Sequence, residues 1–233
     1  FAQAKSFPHF LIVGPSGHGK TTLVKIASSS RRLIQASANA IDDHNDLYAF
    51  LKQAGENDIV FLDEIHSLNS KLQESLYELM ETNIFQRTSG RGQQKTFEDI
   101  KFPKFTIAGT TTKEHKLNAP LKNRFISINV QAYSIHDLVK IATLNLPGIY
   151  DYDVPHILAN HARGTPRIVV KLCQTFLAIN GKNAIDALSL LKSLDIYKEG
   201  LTSTEYRILN ILQPAPISLS SLAAKLMLDE DLV

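Results

Sequence analysis

Eight consecutive residues, Gly14-Pro15-Ser16-Gly17-His18-Gly19-Lys20-Thr21, fit the spacing G-x-x-x-x-G-K-[ST] in full. Glycines let such a loop curl until its backbone N–H groups point inward, where they meet phosphate oxygens. A helix starting where the loop ends adds partial positive charge. Lys20 is expected to reach the β- and γ-phosphates of a nucleotide, and Thr21 to offer its hydroxyl to Mg2+. Further along, the run Ile59-Val60-Phe61-Leu62 ends in Asp63 and Glu64. Asp63 can hold the metal through water, and Glu64 is placed to orient and activate an attacking water. An acidic pair after an apolar run is common where strands end. It gains its meaning from the phosphate loop upstream. The adjacent glutamate points to ATP hydrolysis rather than binding alone, because binding needs only the metal.

These residues need elements that bring them together. His9–Val13 is a short apolar run leading straight into the Gly-rich loop, which reads as a buried parallel strand. Gly19 to Ser29 reads as a helix with Leu23, Ile26 and Ala27 on one face. Arg32–Gln35 is a second strand candidate, and Asp46–Gln53 is helical. Asp58–Leu62 and Phe105–Gly109 read as buried strands, with Ile126–Val130 as another. Ser70–Glu81 between them is an amphipathic helix carrying Leu72, Leu76, Leu79 and Met80. Two β-compatible stretches within Ile84–Phe102 flank a loop rich in Gly, Arg and Lys, the pattern of a hairpin with a basic tip. Strands alternating with helices imply an α/β fold, a mainly parallel sheet with helices on both faces.

After Gln131 only helical spacing remains, over Ser134–Leu146, Val154–Ala162, Pro166–Ile179 and Asn183–Leu194. Asp195–Leu201 reads as a connector. Ser203–Leu212 and Ser218–Leu226 then read as two short helices joined by a Pro-containing turn. The expected organisation is an ATPase core over 1–131, a helical lid over 132–194, and the start of a further domain over 195–233.

The bulk numbers permit this. Of 233 residues, 44% are hydrophobic and 21% charged, which suits a globular chain with room for more than one domain. A net charge of +2 is too mild to imply nucleic-acid binding by itself. The single Cys173 excludes an intrachain disulfide framework and a cysteine-rich zinc site. No apolar run is long enough to span a bilayer. The first residues lack a charged n-region followed by an apolar h-region, so a cytoplasmic location is expected.

Gly14–Thr22, Asp63-Glu64-Ile65-His66, Phe105–Thr112, Pro120-Leu121-Lys122-Asn123-Arg124-Phe125 and Arg163-Gly164-Thr165-Pro166-Arg167, in that order, resemble an AAA+ ATPase. Within that class the chain most resembles the RuvB family of Holliday-junction branch-migration motors, over almost its whole length. The phosphate loop and the Asp-Glu strand end are shared by many nucleotide hydrolases. Threonines followed by Pro-Leu-x-x-Arg-Phe and then Arg-Gly-Thr-Pro-Arg are more particular to RuvB. Lys113 departs from the family's usual Arg, and Ile126-Ser127 stand where it continues with Gly.

The resemblance implies ATP and Mg2+ as cofactors, with Gly14, Pro15, Ser16, Gly17, His18, Gly19, Lys20, Thr21 and Thr22 around the nucleotide and Thr21 and Asp63 at the metal. It implies that Thr112 senses the γ-phosphate and the attacking water. Arg124 becomes an arginine finger reaching the neighbouring subunit's ATP, and Arg167 a lid residue on the γ-phosphate of its own subunit. It also implies a hexameric ring on double-stranded or four-way-junction DNA, a RuvA-like junction-binding partner docked on the hairpin, a winged-helix beginning after Asp195, and a role in recombination and repair.

The residues alone leave other readings open. Arg124 is also compatible with an ordinary structural arginine. Gly164–Arg167 is compatible with a plain helix start, Thr165 as N-cap and Pro166 at N1, leaving Arg167 solvated. Thr110, Thr111 and Thr112 suit any strand end. His18 and His66 read as loop fillers, Asp42 and Asp43 as a solvated turn, and the basic tip (Arg87, Arg91, Lys95) either as a phosphate contact or as a solvated loop. Two further functions share the core: a clamp-loader-like switch in replication, and a non-hydrolysing ATP-gated adaptor.

Overall fold

Strands β1 (Phe10–Val13), β2 (Leu33–Ser37), β3 (Ile59–Asp63), β6 (Thr106–Thr111) and β7 (Ile126–Asn129) form one parallel sheet in the order β2-β3-β6-β1-β7. The computed structural model describes residues 7–89, 96–148 and 150–227. Successive side chains along a strand face opposite sides of the sheet, and here both sides are apolar. Leu11, Val60, Leu62 and Ile107 enter one core, and Phe10, Ile12, Ile59, Phe61 and Ala108 the other. Burial on both faces is why β1 and β3 read as continuous apolar runs rather than alternating ones. β7 differs from the expected buried strand: it is the sheet edge, with Ile126 50% and Ile128 39% exposed.

Helix α1 (Lys20–Ala27) buries Lys20 and Val24, not the expected stripe. Leu23 and Ile26 are 40% and 65% exposed. The face is set by the phosphate loop, which delivers the helix with Val24 toward Phe10, Ile12 and Phe61. α2 (His44–Leu51) begins at Asp43, whose carboxylate accepts from Asn45 N and Asp46 N in a reciprocal box with Asp46. Asp43 is therefore a helix cap rather than a solvated turn, and caps of this kind contribute about 0.5–2 kcal/mol. α3 (Ser70–Thr82) is capped by Asn69 and buries Leu72, Leu76 and Leu79, as its spacing predicts. A four-residue helix α4 (Ala119–Lys122) precedes β7; it is too short to show a period.

The hairpin consists of β4 (Ile84–Ser89) and β5 (Thr96–Lys101), antiparallel. Its root is fixed by Phe85 and Phe102, whose ring centroids stand 6.2 Å apart at 72° and which join the core below. Arg87 lies 4.8 Å above the Tyr48 ring. The basic tip, with Arg91 and Lys95, lies outside the described residues.

His9 ties the strand layer together. Its Nδ1 accepts from Ile107 N at 2.9 Å, while its own carbonyl accepts from Ile126 N. Burial pushes its pKa below the ordinary 6.5, with a hydrogen bond to the Met80 backbone pulling the other way. A group held neutral in the fold takes up protons more readily when unfolded. Its stabilisation is complete above pH 6.5 and is lost as pH falls below that value toward the folded pKa. Urea midpoints are therefore expected to decline from pH 7 to pH 5, before carboxylates titrate. The decline should be smaller in His9→Asn, whose amide oxygen keeps an acceptor for Ile107. An unchanged pH slope in that variant removes His9 as the source.

Residues 132–233 form a second unit, separate from 1–131. It holds α5 (Ile135–Asn145), α6 (Asp153–Asn160), α7 (Pro166–Ala178), α8 (Ala184–Ser193), α9 (Ser203–Leu212) and α10 (Leu219–Leu226). Leu138, Leu158, Val169, Leu172 and Phe176 centre its core. Burial drives the Cys173 thiol up to about 11, so it behaves as a small apolar side chain.

The expected connector before α9 is tightly held. Ser203 donates to Asp195 through both N and Oγ, and Tyr197 N donates to Leu201 O at 2.7 Å. Arg163 donates to Gly200 O at 2.6 Å and pairs with Glu205, whose carboxyl it holds down to about 2. Gly200 adopts φ 81, and a side chain there would strike His161 O. Among the described residues no helix is long and apolar enough to cross a membrane.

Candidate functional site

The parallel sheet brings β1, β3 and β6 to a common end, and the chemistry-bearing residues gather there. Val13 pairs with Thr111, and Leu62 with Gly109, so Gly14, Asp63 and Thr110–Thr112 leave the sheet side by side. The strand order reverses beside β1, the place where open α/β sheets bind ligands. Gly14 N donates to Thr111 O at 3.2 Å, which starts the loop. Gly17 and Gly19 both take φ 79, a conformation glycine adopts without steric cost. Gly19 then serves as the N-cap of α1.

Lys20 is only 6% exposed. Its ammonium donates to Gly14 O at 2.9 Å and Pro15 O at 3.0 Å, and stands 4.0 Å from Glu64 Oε1. A buried cation at the mouth of a Gly-rich loop has the charge to attract phosphate. Thr22 and Pro15 are exposed, and His18 folds back so that Nδ1 lies 3.1 Å from Ser16 O. Thr21 Oγ1 donates to Asp63 Oδ2 at 3.1 Å, and Thr110 Oγ1 donates to Asp63 Oδ1. A hydroxyl and a carboxylate facing each other beside the loop form a set of hard oxygen donors, which fits Mg2+ held with phosphate oxygens.

Glu64 takes a left-handed backbone, φ 53. For a non-glycine residue this costs about 1–3 kcal/mol and often marks a functional position. The turn drops Ile65 into the core, fully buried, and brings His66 back over the Glu64 carboxylate. Thr112 donates to Glu64 Oε2 through N (3.3 Å) and Oγ1 (3.1 Å). His66 Nδ1 lies 3.2 Å from the same oxygen and 2.9 Å from Thr111 Oγ1. Burial pushes the His66 pKa down, and the Glu64 charge opposes this. By its sequence alone His66 reads as a loop filler, since nothing in its spacing shows that the chain doubles back.

Arg124 lies at the other end of the sheet. Ile126 pairs with Phe10, the first residue of β1, whereas the phosphate loop follows Val13, the last. Three strand steps of about 3.3 Å separate the two ends. Arg124 donates to the exposed Glu81 at 2.6 Å and stands 5.7 Å from the Tyr77 ring centre. The structure thus brings together Lys20, Thr21, Asp63, Glu64 and Thr112 but keeps Arg124 apart from them. Arg167 is the second residue of α7, in the other unit, and is exposed. Thr165 is the N-cap residue by position, but its hydroxyl turns to Arg163 O and makes no capping bond to the helix.

The family model for the Holliday junction DNA helicase RuvB P-loop domain matches residues 2–131. The chain is 34% identical to the Holliday junction branch migration complex subunit RuvB of Thermosipho melanesiensis, across 98% of this chain and 78% of that protein. It is 32% identical to the protein of the same description from Lactobacillus johnsonii, across 98% and 72%. A solved structure of the Thermotoga maritima RuvB Holliday junction branch migration motor superposes with a TM-score of 0.74 at 28% identity, covering 97% of this chain and 76% of that one.

Proposed function

This chain belongs to the RuvB family, and from that premise we propose that it couples ATP hydrolysis to movement of branched double-stranded DNA, as a ring of identical subunits. As a member of that family it is an ATP-hydrolysing P-loop enzyme. The observation that carries the reading is Glu64, poised beside a phosphate loop with one carboxylate oxygen held by Thr112. Lys20 and the loop N–H groups bind the β- and γ-phosphates. Thr21 and Asp63 hold Mg2+, which when bound neutralises charge on the phosphate oxygens. Glu64 orients the attacking water, and Thr112 fixes Glu64. Arg124 completes the site of the adjacent subunit in a hexamer, and Arg167 senses the γ-phosphate from the lid.

The remaining assignments follow from the same membership. Helices α9 and α10 are the beginning of a winged-helix domain that touches DNA. The β4–β5 hairpin docks a RuvA-like junction-binding protein, with its aromatic root giving the contact a rigid base. The protein acts in the cytoplasm. Relatives named for branch migration favour this over a clamp-loading switch or an adaptor.

Steady-state phosphate release with four-way-junction DNA tests the proposal. Turnover should rise more steeply than linearly with protein concentration, since each site needs two subunits, and junction DNA should stimulate it. Turnover strictly proportional to protein and indifferent to DNA would overturn the ring-motor reading.

A further inference from the structure

Glu64 Oε2 is crowded with donors while Oε1 is not. Thr112 supplies two hydrogen bonds to Oε2, and His66 Nδ1 closes on the same atom at 3.2 Å. Oε1 is left facing Lys20 at the loop mouth. We infer that His66 is a positioning residue for hydrolysis: its ring, anchored on Thr111 Oγ1 and 3.2 Å from Glu64 Oε2, steadies that oxygen so that the other faces the water that attacks ATP. The inference rests on the reading of Glu64 as the water-orienting carboxylate.

The tautomer follows from the neighbours. A carboxylate only accepts, so at 3.2 Å a bare Nδ1 lone pair would repel it. Thr111 Oγ1, on the other side of Nδ1, accepts from Lys113 N at 3.0 Å and has a second lone pair for the imidazole N–H. A proton on Nδ1 therefore goes to Thr111 Oγ1 and keeps a bare lone pair from facing Glu64 Oε2. Free imidazole side chains favour the proton on Nε2, so this site selects the less common form. Glu64 takes a left-handed backbone, φ 53, and the chain that follows brings His66 to 3.2 Å from the carboxylate.

The test uses the whole chain with Mg·ATP and junction DNA. His66→Leu keeps bulk and removes the donor; His66→Asn places an amide N–H close to where Nδ1 stands. A misplaced catalytic group costs about 10²-fold in rate, so kcat should fall by about that factor in His66→Leu. KM and ATP affinity should hold, and His66→Asn should recover most of the loss. In a Glu64→Gln background His66→Leu should add little further loss, because the two act as a unit. Long-range 1H–15N spectra of the parent should show His66 protonated on Nδ1, a readout independent of turnover and of whether the variants fold.

A His66→Leu enzyme close to parental in kcat, His66→Asn as impaired as His66→Leu, or an Nε2–H tautomer would each overturn the inference. Undiminished turnover in Glu64→Gln alone would instead strike the role of Glu64 itself, so the two failures are separable.

Discussion

In Glu64→Gln, turnover is expected to fall by about 10²–10⁴-fold, the usual worth of a positioned acid–base group, while ATP still binds. The amide keeps the size of the carboxylate, and its oxygen can still accept from Thr112 N and Oγ1, which now hold Oε2. What changes is the face toward the phosphate loop: an N–H donor replaces the acceptor that would align water. Affinity should survive because Glu64 lies 4.0 Å from the Lys20 ammonium. Removing its charge leaves that cation free to answer the phosphates alone. Equilibrium binding of ATP and multiple-turnover phosphate release, made on the same preparation, separate the two effects. Turnover at the parental rate would sink the role given to Glu64, and a variant that no longer binds ATP would show that the carboxylate shapes the loop.

Much of this site was legible because its parts are contiguous in the chain. A phosphate loop must be continuous, since its backbone N–H groups do the binding, so Gly14–Thr21 carries its own context of strand before and helix after. The apolar run ending at Asp63 is legible for the same reason. Properties that depend on long-range packing were not. The stripe Leu23–Ile26–Ala27 has helical spacing, yet α1 turns Val24 inward because the loop fixes the angle at which the helix leaves the sheet. β7 carries Ile126 and Ile128 and pairs with β1 like an inner strand, and its place at the end of the order makes it an edge. His66 is closer to Glu64 in space than any local pattern indicates, since the reversal depends on one left-handed residue that sequence does not mark. The connector before α9 is composed like a loop, and its rigidity comes from Arg163, more than thirty residues upstream of the Gly200 and Glu205 it grips.

Arg124 gives the second large effect, and its argument is topological. A finger acting on its own subunit's nucleotide would have to stand where β1, β3 and β6 end. Arg124 stands where β1 and β7 begin, anchored to Glu81 on α3. Removing it should therefore leave the local fold intact: the pair with Glu81, which is 60% exposed, is of the kind that contributes little to stability. Arg124→Ala is expected to bind ATP like the parent and to lose about 10³–10⁵-fold in turnover, as other phosphoryl-transfer sites do without their arginine. A mixing experiment distinguishes a finger in trans from a structural arginine. Arg124→Ala subunits keep a complete nucleotide loop, and Lys20→Ala subunits keep the finger; each is inactive alone. Mixed rings contain interfaces with the loop of one and the finger of the other, so partial activity should return. Full activity of Arg124→Ala alone would remove the finger assignment. Two dead variants that never complement each other, despite co-assembling, would mean that Arg124 is a structural arginine and not a finger in trans.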